Sequence, residues 1–340
     1  MAASTLIGLD IGSMSVRAAE TSRTKNGPVL SNFGYAPLPE GAVQGGVVND
    51  DKAVTLTLKQ LWATSKFRTR NVVLGVTNPQ VVVRETAVAN LPRREMRKAL
   101  PFQVRDALPL PVERSLLDFF PLEDPGTNET VRGLLIAAPK EAVLTAVQAT
   151  ERAGLHVERV DLASFALLRA ASRLDDLVEA IVDIGARATT VVVHTDGVPI
   201  IVRTIPRGGA EVTESIASRL DIGLPEAEAV KCQVGLQQEE QPETAAAIRE
   251  AVRPLVNEIR SSFAYLNSGE RSTRVARLSL SGGGARLSGL RQALHEQLGV
   301  EVTFADPILR VRGLRRVRHG ALDQFRSSAS VSIGLALLAA

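Results

Sequence analysis

Two tripeptides of the same type, Asp10-Ile11-Gly12 and Asp183-Ile184-Gly185, each close one apolar run and open another, within LIGLDIGSMSVRAAE (6–20) and AIVDIGARATTVVV (180–193). An apolar strand, a carboxylate, a glycine and a second apolar strand make a tight hairpin whose backbone N–H groups can approach an anion. Two such hairpins facing each other could grip a polyphosphate from both sides. A carboxylate beside phosphate repels it unless a divalent cation with its water shell lies between, so Asp10 and Asp183 suit water-mediated Mg2+. The plainer alternative is that Asp-Gly merely closes two hairpins; two copies in matched context favour the site. A third stretch, RLSLSGGGARLSGL (277–290), runs from a strand through Gly282, Gly283 and Gly284 to Ala285 and a helix. Its backbone can come close to a flat ligand such as an adenosine moiety while the helix start presents free N–H groups. It fits neither G-x-G-x-x-G nor G-x-x-x-x-G-K-[ST], so its weight comes from its place after the two hairpins.

The surrounding pattern supplies elements that could hold these residues. The opening is β-rich: a hairpin, then VLSNFGYAPLP with alternating apolar positions. DDKAVTLTLKQLWATSKF from Asp50 has helical spacing behind an aspartate, and RNVVLGV reads as a buried strand. Residues 82–160 give a strand, a basic helix, proline-marked turns, two strands, a helix and a last strand, a compact insertion of domain size. A fresh α/β unit starts at Glu179. GLQQEEQPETAAA reads as a loop leading into a long helix over 244–267. The two DIG hairpins lie half a chain apart, which points to internal duplication.

Composition narrows the function classes. The 340 residues carry 40 Lys and Arg against 37 Asp and Glu, a formal charge of +3, so only local patches could recruit nucleic acid or anionic lipid. Cys232 is the single cysteine, which excludes an internal disulfide and reads as a small packed side chain. The start MAASTLIGLDIG lacks a basic n-region, and VSIGLALLAA is too short to span a bilayer, so the expectation is a cytoplasmic protein without a membrane span. His156, His194, His295 and His319 are scattered, which predicts no transition-metal site and no histidine-based triad. Trp62 is expected in the core.

The order of the pieces resembles the actin, hexokinase and heat-shock-chaperone ATPase superfamily. That order is a DIG hairpin, an insertion, a second DIG hairpin, an RGG turn, an AEAVK helix, SGGGA and a terminal IGLAL helix. The insertion is similar to that of the cell-division protein FtsA, and KALPFQVRDALPLPVERSLLDFFPL resembles the PilM family of type IV pilus assembly proteins. The resemblance implies an α/β fold, actin-like and ribonuclease H-like, duplicated, with an inserted α+β subdomain of the 1C type. It divides the chain into 1–81 (first half), 82–160 (insertion), 161–178 (return to the first half) and 179–340 (second half with a C-terminal helix returning to the first). It implies ATP and Mg2+ as ligands. The first phosphate loop would be Gly12, Ser13, Met14 and Ser15, with Arg17 where actins carry a phosphate-contacting lysine. The second would be Gly185, Ala186 and Arg187, followed by Thr189 and Thr190. Gly208 and Gly209 would form the connecting turn, and Glu228 and Lys231 would contact ribose or base unless they are a solvated helix pair. Gly282, Gly283, Gly284 and Ala285 would hold the adenosine.

Active relatives orient water with a Glu or Gln at a place that here reads VERVDLASFALL, where Asp161 is the nearest candidate, either for that role or as a helix N-cap. ATP binding with at most slow hydrolysis is the expectation. The implied partner is the N-terminal cytoplasmic peptide of a PilN-like inner-membrane protein, with other pilus assembly proteins around it, indirect membrane contact and self-association as a further option. Location would be cytoplasmic, peripheral to the inner membrane through that partner. The basic run RVRGLRRVRHG (310–320) reads as a solvated face or a contact for anionic lipid or an acidic partner. It lacks interleaved aromatics, which argues against nucleic acid. The alternatives are an FtsA-like filament-forming division protein, whose relatives carry a C-terminal amphipathic helix where this chain stops after IGLALLAA, and a sugar-kinase-type enzyme, for which no catalytic constellation is evident.

Overall fold

In a computed structural model the structure describes residues 6–124, 126–237, 241–264, 266, 274–314, 322 and 324–338. The first half opens with an antiparallel meander, β1 (Ile7–Ile11), β2 (Ser15–Thr24) and β3 (Gly27–Pro37), followed by the short hairpin β4 (Val43–Gln44) and β5 (Val47–Val48). Helix α1 (Asp51–Ser65) starts where Asp50 Oδ1 accepts from Ala53 N at 2.9 Å, a side-chain cap for one of the free N–H groups. β6 (Asn71–Val76) then lies parallel to β1. Next come β7 (Val82–Ala89), α2 (Arg93–Gln103), β8 (Ser115–Pro121) and β9 (Thr130–Pro139), with the strands in the order β7-β9-β8 as a separate three-stranded sheet.

After Pro139 the chain returns to the first half. α3 (Lys140–Arg152) packs on α1, and β10 (His156–Leu162) pairs parallel with β6, so the first large sheet has the order β3-β2-β1-β6-β10. Within the expected insertion over 82–160, only the part up to Pro139 forms the separate layer. The physical reason is the pairing of β10 with β6: its N–H and C=O groups need a ladder partner, and β6 offers the open edge. Helix α4 (Ala163–Ala171) follows.

The second half repeats this plan. β11 (Val178–Ile184), β12 (Thr189–Thr195) and β13 (Val198–Ile205) form the meander. α5 (Gly209–Leu220), α6 (Leu224–Val234) and α7 (Pro242–Ala264) lead to β14 (Arg277–Ser281), which is parallel to β11. α8 (Leu290–Leu298) precedes β15 (Glu301–Phe304), and α9 (Ser330–Leu337) ends the described chain. The order β13-β12-β11-β14-β15 matches the first sheet strand for strand. α7 begins at Pro242, inside the stretch expected as loop, because proline at a first helical turn has no N–H to leave unpaired and Glu243 suits that end. Trp62 is half-buried against the first core. Cys232, expected to be packed, is exposed on α6.

The equivalent helices α4 and α9 follow the fifth strand of their respective sheets, and each packs on the other half's sheet: α4 on β11 and β12, α9 on β1, β2 and β6. Where they cross, one apolar cluster joins Val73 and Leu6 of the first half, Ile181 and Val192 of the second, Ala166 and Leu167 of α4 and Leu335 of α9. Gly334 is required there, because a Cβ would stand 1.8 Å from the Ala166 carbonyl oxygen. Gly334→Val is therefore expected to lower stability by about 3 kcal/mol or more, at the top of the usual overpacking range. Gly313→Ala, whose Cβ would meet nothing within 4 Å, is expected to change it by less than about 0.5 kcal/mol. Urea unfolding of both variants checks the contrast.

Candidate functional site

The duplication extends to single hydrogen bonds at the two DIG hairpins. Gly12 N donates to Ser15 O at 3.0 Å, and Gly185 N donates to Ala188 O at 2.9 Å. Asp10 lies across from Arg17 in the β1–β2 ladder and beside Gly75 of β6. Asp183 lies across from Thr190 in the β11–β12 ladder and beside Ser281 of β14. Arg17 closes the first hairpin: its Nη1 donates to Asp10 Oδ2 at 2.7 Å and its Nη2 to Ser15 Oγ at 2.8 Å. Its buried Nε has no hydrogen-bond partner among the described residues. Ser13 is partly covered and Met14 exposed at the turn, where the Met14 carbonyl accepts from Leu38 N at 2.9 Å.

The second hairpin is seated on the start of α5. Gly209 N donates to Gly185 O at 2.9 Å and Ala210 N to Ala186 O at 2.8 Å, with Gly208 immediately before the helix. Thr189 Oγ1 donates to Arg207 O at 2.8 Å, fixing the turn between β13 and α5. Lys231 is buried, with Nζ donating to Gly209 O at 3.0 Å, to Thr213 Oγ1 at 2.7 Å and to Glu228. The pair Glu228 and Lys231 is thus a tie between α6 and the first turn of α5 rather than a solvated helix pair. Arg187 reaches out of the hairpin to Glu214 of α5 and, across to the first half, to Glu40 at 3.1 Å. The glycine turn after β14 lies alongside: Gly282, at φ +90°, has its Cα facing the Ile184 backbone, where a Cβ would come within 2.3 Å of the carbonyl oxygen. Gly282 N donates to Ser327 O at 2.6 Å, and Ser281 Oγ bonds Ser330 Oγ at 2.9 Å, so the segment entering α9 backs the turn. Gly283 is open, Gly284 begins a short 3-10 turn and Ala285 is buried.

Charge at this site is held under tension. Burial pushes the Asp10 carboxyl above its usual range, against the pull of Arg17. Burial also raises Asp183; its Ser281 hydrogen bond and Arg17 oppose the rise, and Asp10 adds to it. Both carboxyls are thus held against ionisation chiefly by burial, and Arg17 opposes the rise at each. Among the described residues no group of three or more His, Cys, Asp or Glu could hold a metal ion. At Glu228, burial raises the carboxyl, but Lys231 and Thr213 pull it, on balance, below its ordinary value.

Asp161 lies near the end of β10 beside Gly75, the residue that also neighbours Asp10. Its Oδ1 accepts from Leu162 N at 2.9 Å, and its Oδ2 pairs with Arg169, whose Nε donates to Gly334 O at 3.0 Å. It is not the cap of α4, whose N-cap is Leu162 with no side-chain hydrogen bond. The basic run 310–320 falls largely outside the described residues; its start is anchored to the first half, with Arg312 N donating to Pro28 O at 2.8 Å and Leu30 N to Gly313 O at 3.1 Å.

Sequence reasoning missed a buried network at the other end of the second sheet. Glu179, His194 and Arg277 have almost no exposure; Glu179 accepts from Ser279 Oγ at 2.6 Å and from Arg173 N at 2.9 Å, with His194 Nε2 3.2 Å away. Arg277 also holds Asp175 at 2.5 and 2.7 Å. This network pins the segment between α4 and β11. The one available signal was charge inside otherwise apolar strands, Glu179 in VEAIVDI and Arg277 in RLSLS. Burial pushes the Glu179 carboxyl up, but its hydrogen-bond donors bring it down to about 2.

Comparison with known proteins follows the same lines. The family model described as "Type IV pilus assembly protein PilM" matches residues 8–340. The solved "PilM-PilN type IV pilus biogenesis complex" is similar at a TM-score of 0.87 and 29% identity, covering 99% of this chain and 99% of that one. The cell division protein FtsA of Bacillus subtilis (strain 168) is 26% identical over 256 residues, 67% of this chain and 58% of FtsA, so the chain spans less than two thirds of that relative's length. MreB5 of Spiroplasma citri bound to ADP shares the fold at a TM-score of 0.52 and 15% identity, over 97% of this chain and 94% of its own. The fold is the duplicated actin-like one, and no described helix is long and apolar enough to cross a membrane.

Opposite pH dependences are expected at Glu179 in the second sheet and Asp10 in the first. Glu179 falls from 4.5 to about 2 on folding, so it stabilises above pH 4.5 and loses that contribution, on the order of 3 kcal/mol, as pH falls toward 2. Asp10 is raised above 3.8; its contribution is present below that pH and lost as pH rises. In urea melts from pH 2 to 8, Glu179→Gln should be less stable than the parent at pH 7 and show a shallower loss of stability on the acid side. Asp10→Asn should gain on the parent as pH rises.

Proposed function

The chain belongs to the type IV pilus assembly protein PilM family, and from that premise we propose that it is a nucleotide-binding, actin-like scaffold of the pilus inner-membrane assembly platform. The observation that carries this reading is the likeness over 99% of both chains to a protein solved as a PilM-PilN complex. Its partner is then a PilN-like inner-membrane protein, taken up through that protein's N-terminal cytoplasmic peptide. This puts the chain on the cytoplasmic side, peripheral to the membrane, among other pilus assembly proteins. Self-association is a further property that actin-like folds support.

ATP is the proposed ligand. The β- and γ-phosphates fit between the hairpin of Gly12, Ser13, Met14 and Ser15 and that of Gly185, Ala186 and Arg187, whose turn N–H groups are the donors an oxyanion needs. Arg17, Thr189 and Thr190 flank the phosphates. Mg2+ between Asp10 and Asp183, through water, would neutralise phosphate charge. Gly208, Gly209, Glu228 and Lys231 shape the ribose side, and Gly282, Gly283, Gly284 and Ala285 the adenosine side. That a protein sharing the fold was solved bound to ADP supports nucleotide binding.

Turnover is proposed to be slow at most. Asp161, the candidate for orienting water, has both oxygens engaged, by Leu162 N and by Arg169. A carboxylate committed to an ion pair is a poor acceptor for a water proton.

Titration of a fluorescent N-terminal PilN peptide, with and without Mg·ATP, tests the reading. Micromolar peptide binding is expected, with Mg·ATP affinity falling at least about tenfold in Asp10→Ala while peptide binding without nucleotide is retained. Absence of peptide binding by a protein that binds ATP tightly would remove the PilN assignment. Unchanged ATP affinity in Asp10→Ala would remove Asp10 from the nucleotide site.

A further inference from the structure

We propose that the outward face of α2, in the inserted sheet layer, docks directly on an anionic bilayer surface, in addition to any tie through a membrane partner. The helix RREMRKALPFQ buries Met96 and Leu100 in a small core with Val88, Val131 and Leu135. Its other side carries Arg93, Arg94, Arg97 and Lys98, all exposed, against the single carboxylate Glu95. At 3.6 residues per turn these four cations fall within an arc of about 140°, and Phe102 follows about 40° beyond its edge. Phe102 is 77% exposed, more than any other large apolar side chain among the described residues.

What distinguishes the patch is that four exposed cations crowd into six residues of one helix, beside an exposed phenylalanine. Some arginines elsewhere are paired, as in Arg132 with Glu85, Arg152 with Asp51 and Arg203 with Glu258. Among the described residues none of the four α2 cations makes an ion pair or a side-chain hydrogen bond. Of the acids close in sequence, Glu113 pairs with Arg105 at 3.8 Å, and Glu95 is the single carboxylate on the helix itself. A near-neutral chain that concentrates unpaired cations on one helix face, with an aromatic at its margin, has the pattern of an interfacial helix. The cations meet lipid phosphates and the ring enters the headgroup boundary. An acidic protein would satisfy the charges but gives no reason for an exposed phenylalanine, and one aromatic does not make a stacking platform for single strands.

Each cation near an anionic surface changes partitioning about fivefold. The test uses the full chain without partner or nucleotide, co-sedimented with vesicles of phosphatidylglycerol and phosphatidylethanolamine or of phosphatidylcholine alone. Binding to the anionic vesicles is expected, weakening with salt and absent on phosphatidylcholine. Arg93→Gln, Arg94→Gln, Arg97→Gln and Lys98→Gln combined should weaken it at least about tenfold. Phe102→Ser alone should weaken it severalfold. A control removing four exposed cations elsewhere, Arg23→Gln, Lys25→Gln, Lys52→Gln and Lys59→Gln, should retain most of the binding. Glutamine keeps helix propensity close to that of Arg and Lys, and circular dichroism verifies the fold. The proposal is overturned by no binding to anionic vesicles, by equal loss in the control, or by binding of polyglutamate or duplex DNA through the same residues without vesicle binding.

Discussion

Everything at the cleft depends on the crossing of α4 and α9. Each helix is the continuation of one half and the cover of the other half's sheet, so neither half can bury its central strands alone. Contact between Gly334 and the Ala166 carbonyl sets their approach, and side chains from both sheets fill the space around it. The same crossing is bound to the cleft wall, because Arg169 donates to Gly334 O while pairing with Asp161 at the end of β10. A shift of the helices would therefore move the strand ends that carry Asp10 and Asp183.

From that crossing outward, the two hairpins differ in how they are held. The first is closed by its own Arg17, which ties the turn to Asp10. The second is held from behind by the first turn of α5, itself clamped by Lys231. Between the halves at the mouth, Arg187 and Glu40 form an exposed pair, worth about 0–1 kcal/mol. The deep apolar crossing, rather than the rim, sets the relation of the halves. Such a body can let the mouth rearrange while the strand ends stay in register.

Much of this was legible in the sequence because it repeats. The DIG hairpins announce themselves through matched residue types on both sides of the turn, and the strand order then follows from an identical pattern in each half. The SGGGA turn was legible for a different reason: three glycines in a row signal close backbone approach, here to Ile184. Other features were hidden because they arise from pairing between distant segments. The return of β10 to the first sheet depends on the free edge of β6, which no local pattern reveals. Lys231 reads in the sequence as a ribose or base contact or as half of a solvated helix pair, while its partners Gly209 O and Thr213 lie in another helix that no local pattern reveals. The Glu179 network joins residues roughly a hundred positions apart, and only its charges in apolar strands hinted at it. The pairing of Asp161 with Arg169, two turns along, was equally hidden, because the sequence offers the aspartate as a helix cap or a water-orienting group without its partner.

The claim at the centre is that two copies of one hairpin, brought face to face by exchanged helices, grip a single polyphosphate. Amide hydrogen exchange with and without Mg·ATP measures this most directly. The account predicts joint protection of residues 12–15, 185–188 and 282–284, rising together along one binding curve and lost together in Asp10→Ala. Protection of one hairpin alone, or of neither while ATP binds elsewhere on the chain, would contradict it.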